Sequence, residues 1–282
     1  MLKLKCNTCD GIFDTVDIRF TKACNNKCSF CIEQFSGIEA SSTDVNSIVA
    51  SVLRTHTKEV LILGGEPFLE IDKLLECVTT LKQHNITIYI TTSLPSIILN
   101  QYETFNMILD KIDGLNVSVH HYRNELNNKV YCNNSHNRIA LLKSIVNRYP
   151  HKVRVCVNLV KGLLDSANEL YKMLSFLHII GVKKVKINEL SHSKEYVAFE
   201  DITGLRMKAP YSHGCYTSVF NDVYAGMDIE LKRSCFITEN TLEATWQDLI
   251  KAILNKYVVT PIQSKFCVVY EDGVTYNNWV TK

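Results

Sequence analysis

Three cysteines stand close together near the start of the chain, in CNNKCSFC: Cys24, Cys28 and Cys31. Few thiol sites use three. A structural zinc site takes four protein ligands, and a disulfide takes two. An iron–sulfur cubane has four irons and is held by cysteine thiolates. Three thiolates leave one iron open, and an open metal position is where a ligand can bind. Cys-x3-Cys-x2-Cys therefore reads as a cluster that does chemistry on something it holds. Phe30, just before the third cysteine, is placed to shield such a cluster from water and help tune its potential. The competing reading is a zinc knuckle that borrows a distant fourth ligand.

The elements that must position these thiols show in the hydrophobic pattern. Residues 15–22 (TVDIRFTK) read as a strand, so the cysteines follow its carboxyl end. Strands are then expected at 59–65, 86–93, 113–121, 151–160 and 182–190. Helices are expected at 41–55, 70–84, after Pro95, at 134–149 and at 166–180, the last closed by Gly181. Alternating βα units imply a parallel sheet with helices outside. Either a partial barrel or an open doubly wound sheet fits, and both build their sites at the carboxyl ends of the strands. After Leu190 the alternation stops. A hairpin is expected within 214–236, a helix at 242–256 and a second hairpin turning at Asp272-Gly273. The expected division is a short extension over 1–13, an α/β domain over 14–190, and an α+β appendage over 191–282.

The second strand ends in LILGGEP, with Gly64, Gly65, Glu66 and Pro67. Two glycines let backbone approach a ligand closely, and a turn at a strand end exposes carbonyls that can accept from an ammonium. An ordinary turn after a buried strand is the plain alternative. Taken with the cysteines, in this order and one βα unit apart, the chain resembles the radical S-adenosylmethionine (radical SAM) superfamily. The resemblance covers about residues 14–190 and implies a partial (β/α)6 barrel of the TIM type. It implies a [4Fe-4S] cluster on Cys24, Cys28 and Cys31, with SAM bound at its open iron. It assigns the methionine end of SAM to Gly64, Gly65, Glu66 and Pro67. It further implies reductive cleavage of SAM to a 5′-deoxyadenosyl radical, which takes hydrogen from a substrate, with electrons from a reductase of flavodoxin or ferredoxin type.

Other positions follow from the same resemblance. Thr92 stands where family members often have a Thr-Asn-Gly run, here Thr91-Thr92-Ser93, and is a ribose or substrate candidate. Ser118 and Asn158 match polar positions that contact SAM. His120 and Glu189, at strand ends, are candidates for binding substrate. Because the cysteines lie on a separate loop, a bulky residue at Gly65 is expected to weaken SAM binding and leave iron content alone.

Eleven cysteines is a high number for 282 residues. Cys77, Cys132 and Cys156 read as small apolar core residues. Cys6, Cys9, Cys215, Cys235 and Cys267 are the candidates for a second metal or cluster. With 31 basic and 29 acidic residues, the net charge of +2 gives no general electrostatic grip on nucleic acid or an anionic membrane. No secretory leader or membrane span is read, and the expected compartment is the cytoplasm. The expected substrate is a small or nucleotide-derived molecule. A peptide or protein substrate is the alternative, and a non-enzymatic iron–sulfur scaffold or carrier is a third reading.

Overall fold

The computed structural model of the chain describes residues 15–190, 193–198, 201–202, 217–221, 227–232, 256–260 and 266–276. Through residue 190 the order is β1 (Thr15–Thr21), α1 (Val45–Arg54), β2 (Glu59–Gly64), α2 (Ile71–Gln83), β3 (Thr87–Thr92), α3 (Ile97–Asn100), α4 (Tyr102–Lys111), β4 (Gly114–Ser118), α5 (Asn124–Tyr131), α6 (Arg138–Arg148), β5 (Val153–Asn158), α7 (Ala167–Ile179) and β6 (Lys184–Asn188). Among the described residues five further strands follow: β7 (Thr217–Asn221), β8 (Asp228–Lys232), β9 (Lys256–Thr260), β10 (Phe266–Val269) and β11 (Thr275–Tyr276).

Two compact units divide the chain. The first comprises Met1–Lys27, Cys31–Asn116 and Ser264–Lys282, and the second comprises Cys28–Phe30 and Val117–Gln263. In the first, the strand order is β11-β10-β1-β2-β3, followed by the first residues of β4. β10, β1, β2 and β3 run parallel, and β11 is antiparallel to β10. In the second, the order is the end of β4, then β5-β6-β8-β7-β9. β5, β6 and β8 are parallel, and β7 is antiparallel to both β8 and β9. Among the described residues, β11 stands at the end of the first order and β9 at the end of the second. Among the described residues, the strands beyond 190 join these ladders: β8 lies beside β6, and β10 lies beside β1.

Period-two alternation gives β2, β3, β5 and β6 two different faces. Val60 and Ile62, Ile88 and Ile90, Val153, Val155 and Val157, and Val185 and Ile187 are buried. Their neighbours on the other face include Tyr89, Thr91, Arg154, Cys156, Asn158, Lys186 and Asn188, all partly exposed. Helix α2 buries Leu74, Cys77, Val78 and Leu81, the stripe its period predicts.

Two elements differ from the sequence expectation. The helix after Pro95 is two helices, because Gln101 at φ −122°, ψ 42° leaves the helical region. Helix α5, NELNNKVY, was not expected, since its apolar residues have no helical period. It is held by polar contacts instead. Asn127 accepts from the His120 backbone N–H at 2.8 Å, and the Tyr131 hydroxyl donates to the Ser118 carbonyl. The expected helix at 242–256 lies outside the described residues except for Lys256, which opens β9.

Candidate cofactor site

In the first unit, the end of β2 is built against the chain that leads into Cys24. Gly65 N–H donates to the Thr21 carbonyl at 2.7 Å, and Glu66 N–H donates to the Ala23 carbonyl at 2.8 Å. Gly64 has φ +131°, which L side chains rarely adopt. A Cβ on Gly65 would lie 2.2 Å from the Ala23 oxygen and 2.7 Å from the Lys22 oxygen. Both glycines are therefore required by the protein's own backbone. The expectation that a substitution at Gly65 would spare the cysteine loop is corrected: the residue such a side chain strikes is Ala23, next to Cys24.

Glu66 is 1% exposed. Its Oε1 accepts from Thr92 Oγ1 at 2.8 Å and Phe68 N–H at 3.3 Å. Its Oε2 accepts from Ser93 N–H at 2.8 Å and Ser93 Oγ at 2.6 Å. A carboxylate offers about four lone-pair positions, so these donors use the set, and no lone pair is left for a ligand ammonium. Burial pushes the Glu66 pKa up, and the Ser93, Thr92 and Phe68 donors oppose that shift. Thr92 is likewise buried, its Oγ1 also accepting from Leu94 N–H at 2.9 Å. Pro67 is buried and opens the short 3-10 helix Pro67–Glu70.

Ser93 was not among the expected site residues, yet it joins this carboxylate to the cysteine loop. Asn26 Nδ2 donates to Ser93 Oγ at 2.7 Å, and Asn26 N–H donates to Cys24 Sγ at 3.4 Å. The signal was in the sequence: Ser93 stands where the resemblance would have led one to expect Gly.

The far side of the loop rests on Arg19, fully buried in β1. Its Nε donates to Glu271 Oε2 at 2.7 Å and its Nη2 donates to Glu271 Oε1 at 2.8 Å, a bidentate pair. The same guanidinium reaches Ser36 Oγ at 3.0 Å and the Glu39 carbonyl at 3.3 Å, and lies 4.1 Å from the Tyr270 ring centre. The segment just after Cys31 is thereby anchored to β1 and to the C-terminal hairpin.

In the second unit, Phe30 meets His120 edge to face at 5.4 Å, and Tyr131 lies 5.3 Å from the same imidazole. His120 Nδ1 accepts from Asn158 N–H at 3.2 Å, so the neutral ring carries its proton on Nε2. Burial lowers the His120 pKa to about 3. Asn188 Nδ2 donates to Asn158 Oδ1 at 3.1 Å, which orients the Asn158 amide. Asn188 was not foreseen, although it ends β6 in register with Asn158. Ser118, Asn158, His120 and Phe30 are thus brought together. Glu189 follows Asn188 and is buried. Ser29, between Cys28 and Phe30, donates to Glu195 Oε2 at 2.5 Å.

The chemistry of the donors fits an iron–sulfur cluster. Cys24 is exposed and Cys28 and Cys31 are half-buried, whereas Cys77 and Cys267 are sealed in the core. Burial pushes the Cys31 thiol up and the Glu33 carboxylate adds to this, while N–H groups of Glu33 and Gln34 pull it down. Amide N–H groups directed at sulfur favour the thiolate that binds iron. Among the described residues, no set of three or more His, Cys, Asp or Glu side chains is arranged around a single ion. A cluster presents a different iron to each thiolate and does not require that convergence.

Cys267, expected as a ligand to a second metal, is fully buried in β10 beside Val16. Cys6, Cys9, Cys215 and Cys235 lie outside the described residues. Cys132, expected in the core, is exposed at the end of α5 in the left-handed conformation, φ 50°. Cys156 is half-buried on the polar face of β5. Among the described residues no helix is long and apolar enough to cross a membrane.

Comparison with known proteins gives this arrangement a family. Among solved structures, SuiB of Streptococcus suis bound to S-adenosylmethionine matches with a TM-score of 0.60 at 14% identity, over 95% of this chain and 60% of that one. A radical SAM methyltransferase from Sphaerobacter thermophilus matches with a TM-score of 0.52 at 19% identity, over 67% of this chain and 61% of that one. AnSMEcpe with bound AdoMet and Cp18Cys peptide matches with a TM-score of 0.50 at 16% identity, over 68% of this chain and 56% of that one. The chain thus spans less than two thirds of each, and the likeness is one of fold, that of the partial TIM barrel. No curated protein sequence matches it. The model of the Radical SAM superfamily matches residues 18–177, from β1 through most of α7 and more than half of the chain, and the protein belongs to that superfamily.

Proposed function

We propose that the chain cleaves SAM reductively and uses the product to take hydrogen from a small or nucleotide-derived substrate at the carboxyl ends of its strands. When bound, a [4Fe-4S] cluster and SAM together supply this one-electron chemistry. Cys24, Cys28 and Cys31 hold the cluster as thiolates. N–H groups of Asn26, Glu33 and Gln34 stabilise charge on Cys24 and Cys31. Phe30, packed on His120, keeps water from the cluster side of the loop. The Gly64–Pro67 turn takes the methionine end through its backbone, since the Glu66 oxygens are engaged within the protein. Ser118 and Asn158 supply polar contacts to the cofactor, and Thr92 acts indirectly through Glu66. In this reading His120, neutral and protonated on Nε2, and Glu189 are the residues that contact the substrate. Electrons come from a flavodoxin- or ferredoxin-type donor.

The observation that carries this reading is the pair of backbone bonds from Gly65 and Glu66 to Thr21 and Ala23. The two motifs are one construction. The test is titration of SAM into protein reconstituted without oxygen, followed by electron paramagnetic resonance. SAM should change the spectrum of the reduced cluster. A bound cluster whose spectrum ignores SAM would instead favour the scaffold reading. A peptide substrate is the second reading, and the peptide held by anSMEcpe supports it. A second metal site on Cys6, Cys9, Cys215 and Cys235 would appear as iron or zinc that survives loss of the first three cysteines.

A further inference from the structure

We infer that Ser93 and Asn26 are positioning residues for the cysteine loop, through which the buried Glu66 carboxylate fixes the amide N–H directed at Cys24. This rests on the reading of Cys24, Cys28 and Cys31 as cluster ligands.

A hydroxyl has one proton. Ser93 Oγ lies 2.6 Å from Glu66 Oε2, which can only accept when ionised, and 2.7 Å from Asn26 Nδ2, which can only donate. With Glu66 ionised the direction is set: Asn26 donates to Ser93, and Ser93 donates to Glu66. The Ser93 N–H donates to the same carboxylate oxygen, so the serine is held at two points. Glu66 is itself fixed by Thr92 and Phe68. The chain of bonds runs from a rigid, buried acceptor out to a loop whose residues Ala23, Cys24 and Asn25 are exposed.

Asn26 is where that chain meets the sulfur. Its side chain is tied to Ser93, and its backbone N–H points at Cys24 Sγ. Hydrogen bonds to the sulfurs help set the potential of an iron–sulfur cluster, because the reduced cluster carries more negative charge than the oxidised one. Without the side-chain anchor, the loop samples other conformations and that N–H leaves the sulfur for part of the time. The reduced state loses stabilisation and the potential falls. A role confined to loop stability would lower the melting temperature without moving the potential.

The test uses the full chain, reconstituted without oxygen, with Ser93→Ala, Asn26→Ala, the double variant, and Ser93→Thr, which keeps the hydroxyl. Iron content and the midpoint potential without SAM are measured for each. Both single variants should bind iron at the unmodified level. Each should show about a tenfold lower ratio of reduced to oxidised cluster at a fixed ambient potential, a shift of about 59 mV for one electron. The double variant should shift no further than either single one, and Ser93→Thr should restore the starting value. If Ser93→Ala does not fold, Asn26→Ala on the half-exposed loop carries the test by the same readout. Unchanged potentials in the single variants, or shifts that add in the double, would overturn the inference alone. An unmodified protein that takes up no cluster would overturn the reading beneath it, and that result is known before any variant is made.

Discussion

Arg19 and Glu271 are 252 positions apart and form a bidentate ion pair with both side chains out of contact with water. The pair closes the first unit on itself, because β10 lies beside β1 and the following turn brings Glu271 onto the Arg19 fork. Its Nη1 also reaches Glu33 and Ser36, and its Nη2, besides pairing with Glu271, reaches the Glu39 carbonyl, all just after the third cysteine.

Removing one partner of a buried pair leaves the other charge uncompensated, which costs about 3–5 kcal/mol. Glu271→Gln keeps the shape and removes the charge, while Glu33 at 3.5 Å still offsets part of the Arg19 charge, so a loss of about 3 kcal/mol or less is expected in chemical denaturation. Deletion of the residues after 264 should do at least as much damage. A denaturation midpoint unchanged by Glu271→Gln would mean that the pair is not formed in solution.

Gly65→Ala should damage the cysteine loop directly. Its Cβ would sit 2.2 Å from the Ala23 oxygen, and that backbone has to move. Overpacking of this kind typically costs about 1–3 kcal/mol. The expected result is a lower melting temperature together with reduced iron retention after desalting. Full iron retention in a stable Gly65→Ala protein would show that the turn and the loop move independently.

His120 should make the fold sensitive to acid. Its pKa is lowered by burial from 6.5 to about 3, so between those values the unfolded chain binds more protons than the folded one. Stability from this group is complete above about pH 6.5 and is lost as the pH falls, by about 4 kcal/mol at pH 3. Burial lowers the His121 pKa too, with Glu169 opposing, so part of the slope remains without His120. His120→Asn keeps an acceptor near the Asn158 N–H and removes the titration. Its denaturation midpoint should depend less steeply on pH between 6.5 and 4, and an unaltered slope would count against a buried neutral imidazole.

The parallel βα core was legible because its signals are local: alternating Val and Ile in the strands, the apolar stripe of α2, and polar or glycine residues at the joins. The cysteine triad and the Gly-Gly-Glu-Pro run were legible for the same reason, since spacing along the chain is all they need. What was hidden depends on partners distant in sequence. Nothing near Arg19 marks its carboxylate, which lies in the last hairpin. Nothing in NELNNKVY announces a helix, because the contacts that hold it come from Ser118 in β4, from His120 just beyond it and from Arg138, which donates to Asn128. Glu66 was readable as a functional carboxylate, but its commitment to Thr92 and Ser93 appears only when β2 and β3 are side by side.

The most direct test of the account is the fate of SAM. The full chain, reconstituted with iron and sulfide without oxygen and reduced with dithionite, is incubated with SAM, and the nucleoside products are identified by mass spectrometry. The account predicts 5′-deoxyadenosine and methionine in equal amounts, formed slowly without substrate and absent from the Cys24→Ala/Cys28→Ala/Cys31→Ala protein. An iron-loaded protein that forms no 5′-deoxyadenosine, or that yields only methylthioadenosine or S-adenosylhomocysteine, would contradict it.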